Sequence, residues 1–205
     1  MSFGSFRSVC VVMVGAVLAL SAGCTCPCTQ GGSGVSGRAG PEKVVDAGYE
    51  VRRAEVIEWL GGQGAYNGHV KKVTKYAELL NQAREKPADP QVVEIGALLH
   101  DCGYQIGRGP RKEVRAMHAE LGAAAARGLL PTVGFGPEFT DHVARVVHAH
   151  HSVTEMDTPE WKVVWMADLA VNKKVEVTPD TAGQALSKLE GMLEARRKKN
   201  EAKQG

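Results

Sequence analysis

Aromatic residues are scarce in this chain of 205 residues, at 5%, and β-branched residues nowhere fall into alternating runs. That absence argues against a sandwich or barrel, whose strands need such runs. Charge of one sign is also missing: the formal net charge is +2, so no global bias toward nucleic acid is present and none is expected as a partner. Four of the five cysteines, Cys10, Cys24, Cys26 and Cys28, crowd the N-terminus and leave Cys102 alone in the body, which excludes a disulfide framework. The longest apolar run, Val9 to Leu20, falls short of the about 20 residues that a spanning helix needs.

What that run offers instead is an export signal. Arg7 precedes it, and Ser21-Ala22-Gly23-Cys24 follows with small residues before a cysteine. The pattern resembles a bacterial lipoprotein signal, with Cys24 as the lipidated residue, although Ser21 stands where such signals usually carry leucine. Residues 1–23 are therefore expected to be a signal and 24–43 a Gly/Ser-rich tether. A helical domain is expected over 44–198, with a polar tail over 199–205. The protein would then be exported and held at the cell envelope by its lipid, or cytoplasmic if the signal is not one. Cys26 and Cys28 do not have zinc-ribbon spacing and receive no role.

Ala, Leu, Val, Glu and Lys dominate the body and favour helices. The punctuation predicts where they lie. A first helix spans 49–60 and closes at Gly61-Gly62. A second runs from His69 to Arg84. A third opens at Asp89-Pro90 and reaches Asp101, and Gly103, Gly107 and Gly109 make a loop after it. Pro110, Pro137 and Thr158-Pro159 open the next three, and a last one starts at 179–181.

Seven residues on these helices carry the chemistry: His69, His100, Asp101, His118, His150, His151 and Asp168. Several fall in phase with the apolar face of their own helix. His69 aligns with Val73, Tyr76 and Leu80, and His118 with Val114, Leu121 and Ala125. His150 continues the stripe Phe139, Val143, Val146 and Val147, and Asp168 shares a face with Trp161, Val164, Trp165 and Val171. A single inward histidine is ordinarily a hydrogen-bonded core residue. Two inward aspartates are different, because a buried carboxylate costs several kcal/mol unless compensated. Divalent metal ions would compensate the whole set at once. Imidazole and carboxylate donors without thiolate suit Fe, Mn, Ni or Zn. His142 and His148 are expected at the surface.

His69, His100-Asp101 and Asp168, in their contexts Gly68-His69-Val70, Leu98-Leu99-His100-Asp101-Cys102-Gly103 and Met166-Ala167-Asp168, resemble the H…HD…D signature of the HD-domain superfamily of metal-dependent phosphohydrolases. The resemblance implies an all-α HD-domain bundle of about six to seven helices, with His69, His100, Asp101 and Asp168 as metal ligands. The segments around His118 and His150 are similar to those that add histidines in two-metal members, which implies two ions with Asp101 bridging them as the central catalytic residue. His151 is then a further ligand or a substrate contact.

The implied activity is hydrolysis of a phosphoester, a nucleotide or small phosphorylated metabolite, by metal-activated water. The family's phosphate-contacting lysine is replaced by Tyr104, which leaves Arg108, Arg111, Lys112 and Arg115 as candidate phosphate contacts, with a solvated helix face as the alternative for that cluster. The same ligand set also serves di-iron oxygenases of this fold, and a non-catalytic metal-binding sensor is a third reading. Cys102 is expected to be packing.

Overall fold

The computed structural model describes residues 47–204, so the signal, Cys24 with its neighbouring cysteines and the tether lie outside the described residues. Eight helical segments follow one another and no strand occurs among the described residues. They are α1 Ala47–Gly62, α2 Gly68–Gln82, α3 Pro90–Leu99, α4 Gly103–Ile106, α5 Arg111–Leu129, α6 Pro137–Ala149, α7 Pro159–Asn172 and α8 Ala182–Gln204. The all-α expectation is met. No helix among them is long and apolar enough to cross a membrane.

The helix starts follow from side-chain chemistry. Asn67 accepts the Val70 N–H at 3.1 Å to begin α2, and Asp89 accepts from Gln91 and Val92 at 2.9 and 3.3 Å ahead of Pro90. Thr158 accepts the Trp161 N–H at 3.3 Å ahead of Pro159. Each cap satisfies backbone donors that the helix itself leaves unpaired. Their positions set where His69, His100 and Asp168 emerge.

Helix α7 is buried on nearly every side from Glu160 to Ala170. It packs against α2, α3, α6 and α8, which makes it the axis of the bundle. Trp161 at its base is fully buried, and its indole N–H donates to the Ala149 carbonyl at 2.8 Å. This bond ties the start of α7 to the end of α6, beside His150.

The glycine segment after His100-Asp101 was expected as loop and instead holds the single turn α4. Gln105 and Ile106 donate to the Cys102 carbonyl at 3.1 and 3.3 Å, which closes it. A close approach to α5 holds it there. A Cβ on Gly103 would sit 1.9 Å from the His118 carbonyl oxygen, and one on Gly122 would sit 3.1 Å from Val147. Only glycine at 103 lets the turn bearing Asp101 lie flat on the segment bearing His118.

The closing helix also differs from expectation. Residues 199–204 continue α8 as helix rather than forming a separate tail. Arg196 stacks over Trp165 and Arg197 over Trp161, each 5.5 Å from the ring centroid. From sequence the run Arg196-Arg197-Lys198-Lys199 reads as a solvated helix end, but Arg197 also bonds Asp157 at 2.6 Å, so the first two of these residues dock α8 onto α7.

Gly103→Ala is expected to lower the melting temperature sharply, because backbone must move to admit the methyl. Gly128→Ala, with open space around its Cβ on α5, is the control and should be neutral or stabilise by about 0.4–1 kcal/mol. Thermal melts of the two variants check this. Equal melting temperatures would contradict the close-approach account.

Candidate metal centre

Five helices or their ends deliver the donors to one point. His69 comes from the first turn of α2, His100 and Asp101 directly follow α3, and His118 projects from the middle of α5. His150 and His151 follow α6, and Asp168 lies on the second half of α7. His100 and His150 are fully buried, and His118 and Asp168 nearly so.

Two groups of donors form, with Asp101 between them. His69, His100 and Asp168 make one, and His118, His150 and His151 with Asp101 make the other; within each, the donor atoms lie within 4.8 Å of one another. The two carboxylate oxygens of Asp101 divide between the groups. Oδ2 lies 3.5 Å from His69 Nε2 and 3.4 Å from His100 Nε2. Oδ1 lies 3.6 Å from His118 Nε2 and 3.5 Å from His150 Nε2. Asp168 Oδ1 closes the first group at 3.2 Å from His69 and 3.8 Å from His100. His151 Nε2 closes the second at 3.0 Å from His118 Nε2.

The backbone fixes the state of three of the rings. His100 Nδ1 donates to the Ala97 carbonyl at 2.7 Å, His118 Nδ1 to Arg115 at 2.8 Å, and His150 Nδ1 to Val147 at 2.6 Å. A carbonyl can only accept, so Nδ1 carries the hydrogen in each, and in the neutral ring Nε2 presents its lone pair inward. The same device, a bond to the carbonyl three residues earlier, recurs in α3, α5 and α6. It is the arrangement by which proteins orient histidine toward a metal.

The donor set fits divalent metal. His150 Nε2 is buried without a hydrogen-bond partner, its 3.5 Å approach to Asp101 being too long for a good bond. Lone pairs and carboxylates facing a common centre repel one another unless a cation lies among them. Asp101 is held far below the usual carboxylate range: burial works against its charge, but His100 and His150 beside it outweigh burial. Asp168 is also lowered, against burial, by His69 and His100. Burial, followed by the neighbouring His150, keeps His118 and His151 below the ordinary imidazole value. His100 moves the other way: burial opposes its charge, yet Asp101 and Asp168 raise it. Ionised carboxylates and neutral imidazoles are the forms that ligate.

The centre opens into a cleft of about 580 Å³. His69, Asp101, Tyr104, Arg115, His118, His151, Asp168 and Asn172 line it, so Arg115 alone of the expected phosphate contacts reaches it. Arg111 and Lys112 do not line it; they lie exposed in the first turn of α5, short of the helical turn that carries Arg115 to the opening. Arg108 is exposed before α5.

Two residues at the centre escaped sequence reasoning. Asn172 donates to Asp168 Oδ1 at 2.8 Å, one helical turn along α7; the four-residue spacing was the available signal. Tyr104, noted only as a missing lysine, stacks on His118 with centroids 4.0 Å apart. His142 is half-buried rather than at the surface, because its Nε2 faces Glu160 at 3.4 Å. His148 is exposed as expected, near Glu155. Cys102 is buried, and burial, then Asp101, pushes its thiol up to about 12, which suits a packing role.

A second cavity of about 490 Å³ lies away from the donors, between α5, α6 and residues 155–156. Its arginines Arg127 and Arg145 both pair with Asp141, at 3.5 and 3.1 Å.

The family model described as HD domain matches residues 66–187, well over half of the chain. The chain belongs to the HD-domain family. This HD chain is 31% identical over 138 residues to Ribonuclease Y of Acidothermus cellulolyticus, which covers 64% of it but only 25% of that protein. It thus spans about a quarter of the length of that curated relative. It also resembles a crystal structure described as a predicted HD superfamily hydrolase from an uncultured Thermotogales bacterium. There the identity is 21%, the TM-score 0.45, and the coverage 78% of this chain and 93% of that one.

Asn172→Ala is expected to weaken divalent-metal affinity by roughly ten- to a hundred-fold, because Asp168 loses the bond that orients it. Competition against a chromophoric chelator measures this. Unchanged affinity would remove Asn172 from the account.

Proposed function

We propose that this HD-family protein is a metal-dependent phosphohydrolase with a dinuclear centre that hydrolyses a phosphoester, a nucleotide or small phosphorylated metabolite. The observation that carries the reading is the division of the Asp101 oxygens between two histidine groups, the expected disposition of a bridging carboxylate. His69, His100 and Asp168 would hold one ion, and His118 and His150, with His151 as a further ligand or substrate contact, the other. When bound, the ions supply Lewis acidity, lowering the pKa of a water molecule and drawing charge from phosphoryl oxygens. Fe, Mn, Ni and Zn are the candidates.

The side chains perform the rest. His100, His118 and His150 are oriented by their Nδ1–H bonds to backbone carbonyls and need no reorientation. Arg115 offers a guanidinium at the cleft wall, suited to two phosphate oxygens. Arg111 and Lys112 would act only on a substrate large enough to extend along α5. By its name, Ribonuclease Y acts on RNA, a phosphodiester, so RNA belongs among the substrates tried even though a small molecule is the favoured one. Tyr104, where the family's lysine would stand, keeps a di-iron oxygenase as the competing activity. In this proposal Cys24 carries a lipid and the domain works at the cell envelope on a substrate met there.

The test is hydrolysis of phosphomonoesters, nucleotides and an RNA oligonucleotide by the full-length protein, loaded in turn with Mn, Ni, Zn and Fe. Turnover of at least one ester is expected, falling roughly a thousand-fold or more in Asp101→Asn. Metal uptake with no turnover of any ester would overturn the hydrolase reading. Dioxygen consumption by the iron-loaded protein would establish the oxygenase instead.

A further inference from the structure

Tyr104 occupies a position from which it does more than leave out a lysine. Its ring lies nearly parallel to His118, with centroids 4.0 Å apart and planes 14° apart. The other contacts among the site's rings are tilted or edge-on, at 43–82°. His118 is thus held by its backbone bond to Arg115, by the edges of His150 and His151, and across one face by Tyr104. Tyr104 is 37% exposed and lines the cleft, whereas His118 beneath it is only 5% exposed. The tyrosine ring covers one face of that imidazole, at the mouth of the cleft that both line.

The two donor groups differ in charge, which makes this contact consequential. The His69–His100 group has Asp168 of its own in addition to its share of Asp101. The His118–His150–His151 group has three imidazoles and only the Asp101 share of carboxylate. A divalent cation there is compensated by less negative charge and depends more on the prior placement of its nitrogen donors. His100 needs no aromatic partner of this kind, because burial and its carbonyl bond already fix it.

We propose that Tyr104 is a positioning residue whose ring clamps His118 and thereby sets the affinity of the His118–His150–His151 subsite, leaving the His69–His100–Asp168 subsite unaffected. The proposal rests on the two-ion reading above. In this chain the position after the HD turn serves the metal site through a ring, while cationic contact with substrate falls to Arg115.

The test uses the full-length protein as wild type, Tyr104→Ala and Tyr104→Phe, titrated with Mn and with Zn by calorimetry. Wild type should take up two equivalents. Tyr104→Ala should weaken one step roughly ten-fold or more and leave the other within about two-fold, and Tyr104→Phe, which keeps the ring, should restore both. A second measurement needs no metal: carbethoxylation of individual histidines, followed by mass spectrometry on the metal-free protein. His118 should react faster in Tyr104→Ala but not in Tyr104→Phe, with His100 and His150 unchanged in both. Two equivalents bound with wild-type affinities in Tyr104→Ala would overturn the proposal, as would equal weakening of both steps. A Phe variant as weak as the Ala variant would also overturn it, because the hydroxyl rather than the ring would then matter. Failure of the two-ion reading is distinct: every variant, wild type included, would take up a single equivalent.

Discussion

Two carboxylates surrounded by inward-facing imidazoles form the constraint on which the rest of this structure depends. Asp101 and Asp168 stand among His69, His100, His118 and His150, with Asp168 only 6% exposed. A bundle of this size could cover the same volume with aliphatic side chains and be no less stable, since replacing buried ionic groups by well-packed apolar ones is often neutral or favourable. The chain instead commits five helices or helix ends to bring charge together, and uses carbonyls of three helices to point imidazole lone pairs at it. Packing alone does not account for this arrangement.

The packing around it serves the same end. Gly103 lets the turn after His100-Asp101 touch the backbone at His118, so Asp101 can reach both histidine groups. The Trp161 bond to Ala149 pins α7 to α6 where His150 emerges, and α8 covers the other side of that tryptophan through Arg197. The glycine contact and the tryptophan bond lie within a residue or two of a donor. Among the described residues the centre is packed at its base and opens into the cleft, where Tyr104, Arg115 and His151 stand.

Much of this was legible in the sequence because it follows from local rules. Asp89 and Thr158 start helices by capping chemistry, and the inward phase of His69, His118, His150 and Asp168 follows from a period of 3.6 residues. What could not be read were contacts set by tertiary distance. The α4 turn depends on a glycine meeting a backbone 15 residues away. The roles of Arg196 and Arg197 depend on tryptophans of another helix, so a basic run looked solvated. Arg111 and Lys112 resembled Arg115 in type, and only the phase of α5 relative to the cleft separates them. Tyr104 registered as a loss, because its stacking partner lies on the next helix.

The central claim is that one carboxylate joins two metal subsites. The most direct measurement is anomalous diffraction from crystals of the protein grown with manganese or zinc. The account predicts two anomalous peaks roughly 3.5–4 Å apart, one among His69, His100 and Asp168 and the other among His118, His150 and His151, with an Asp101 oxygen facing each. A single peak, or two peaks with Asp101 turned away from either, would contradict it.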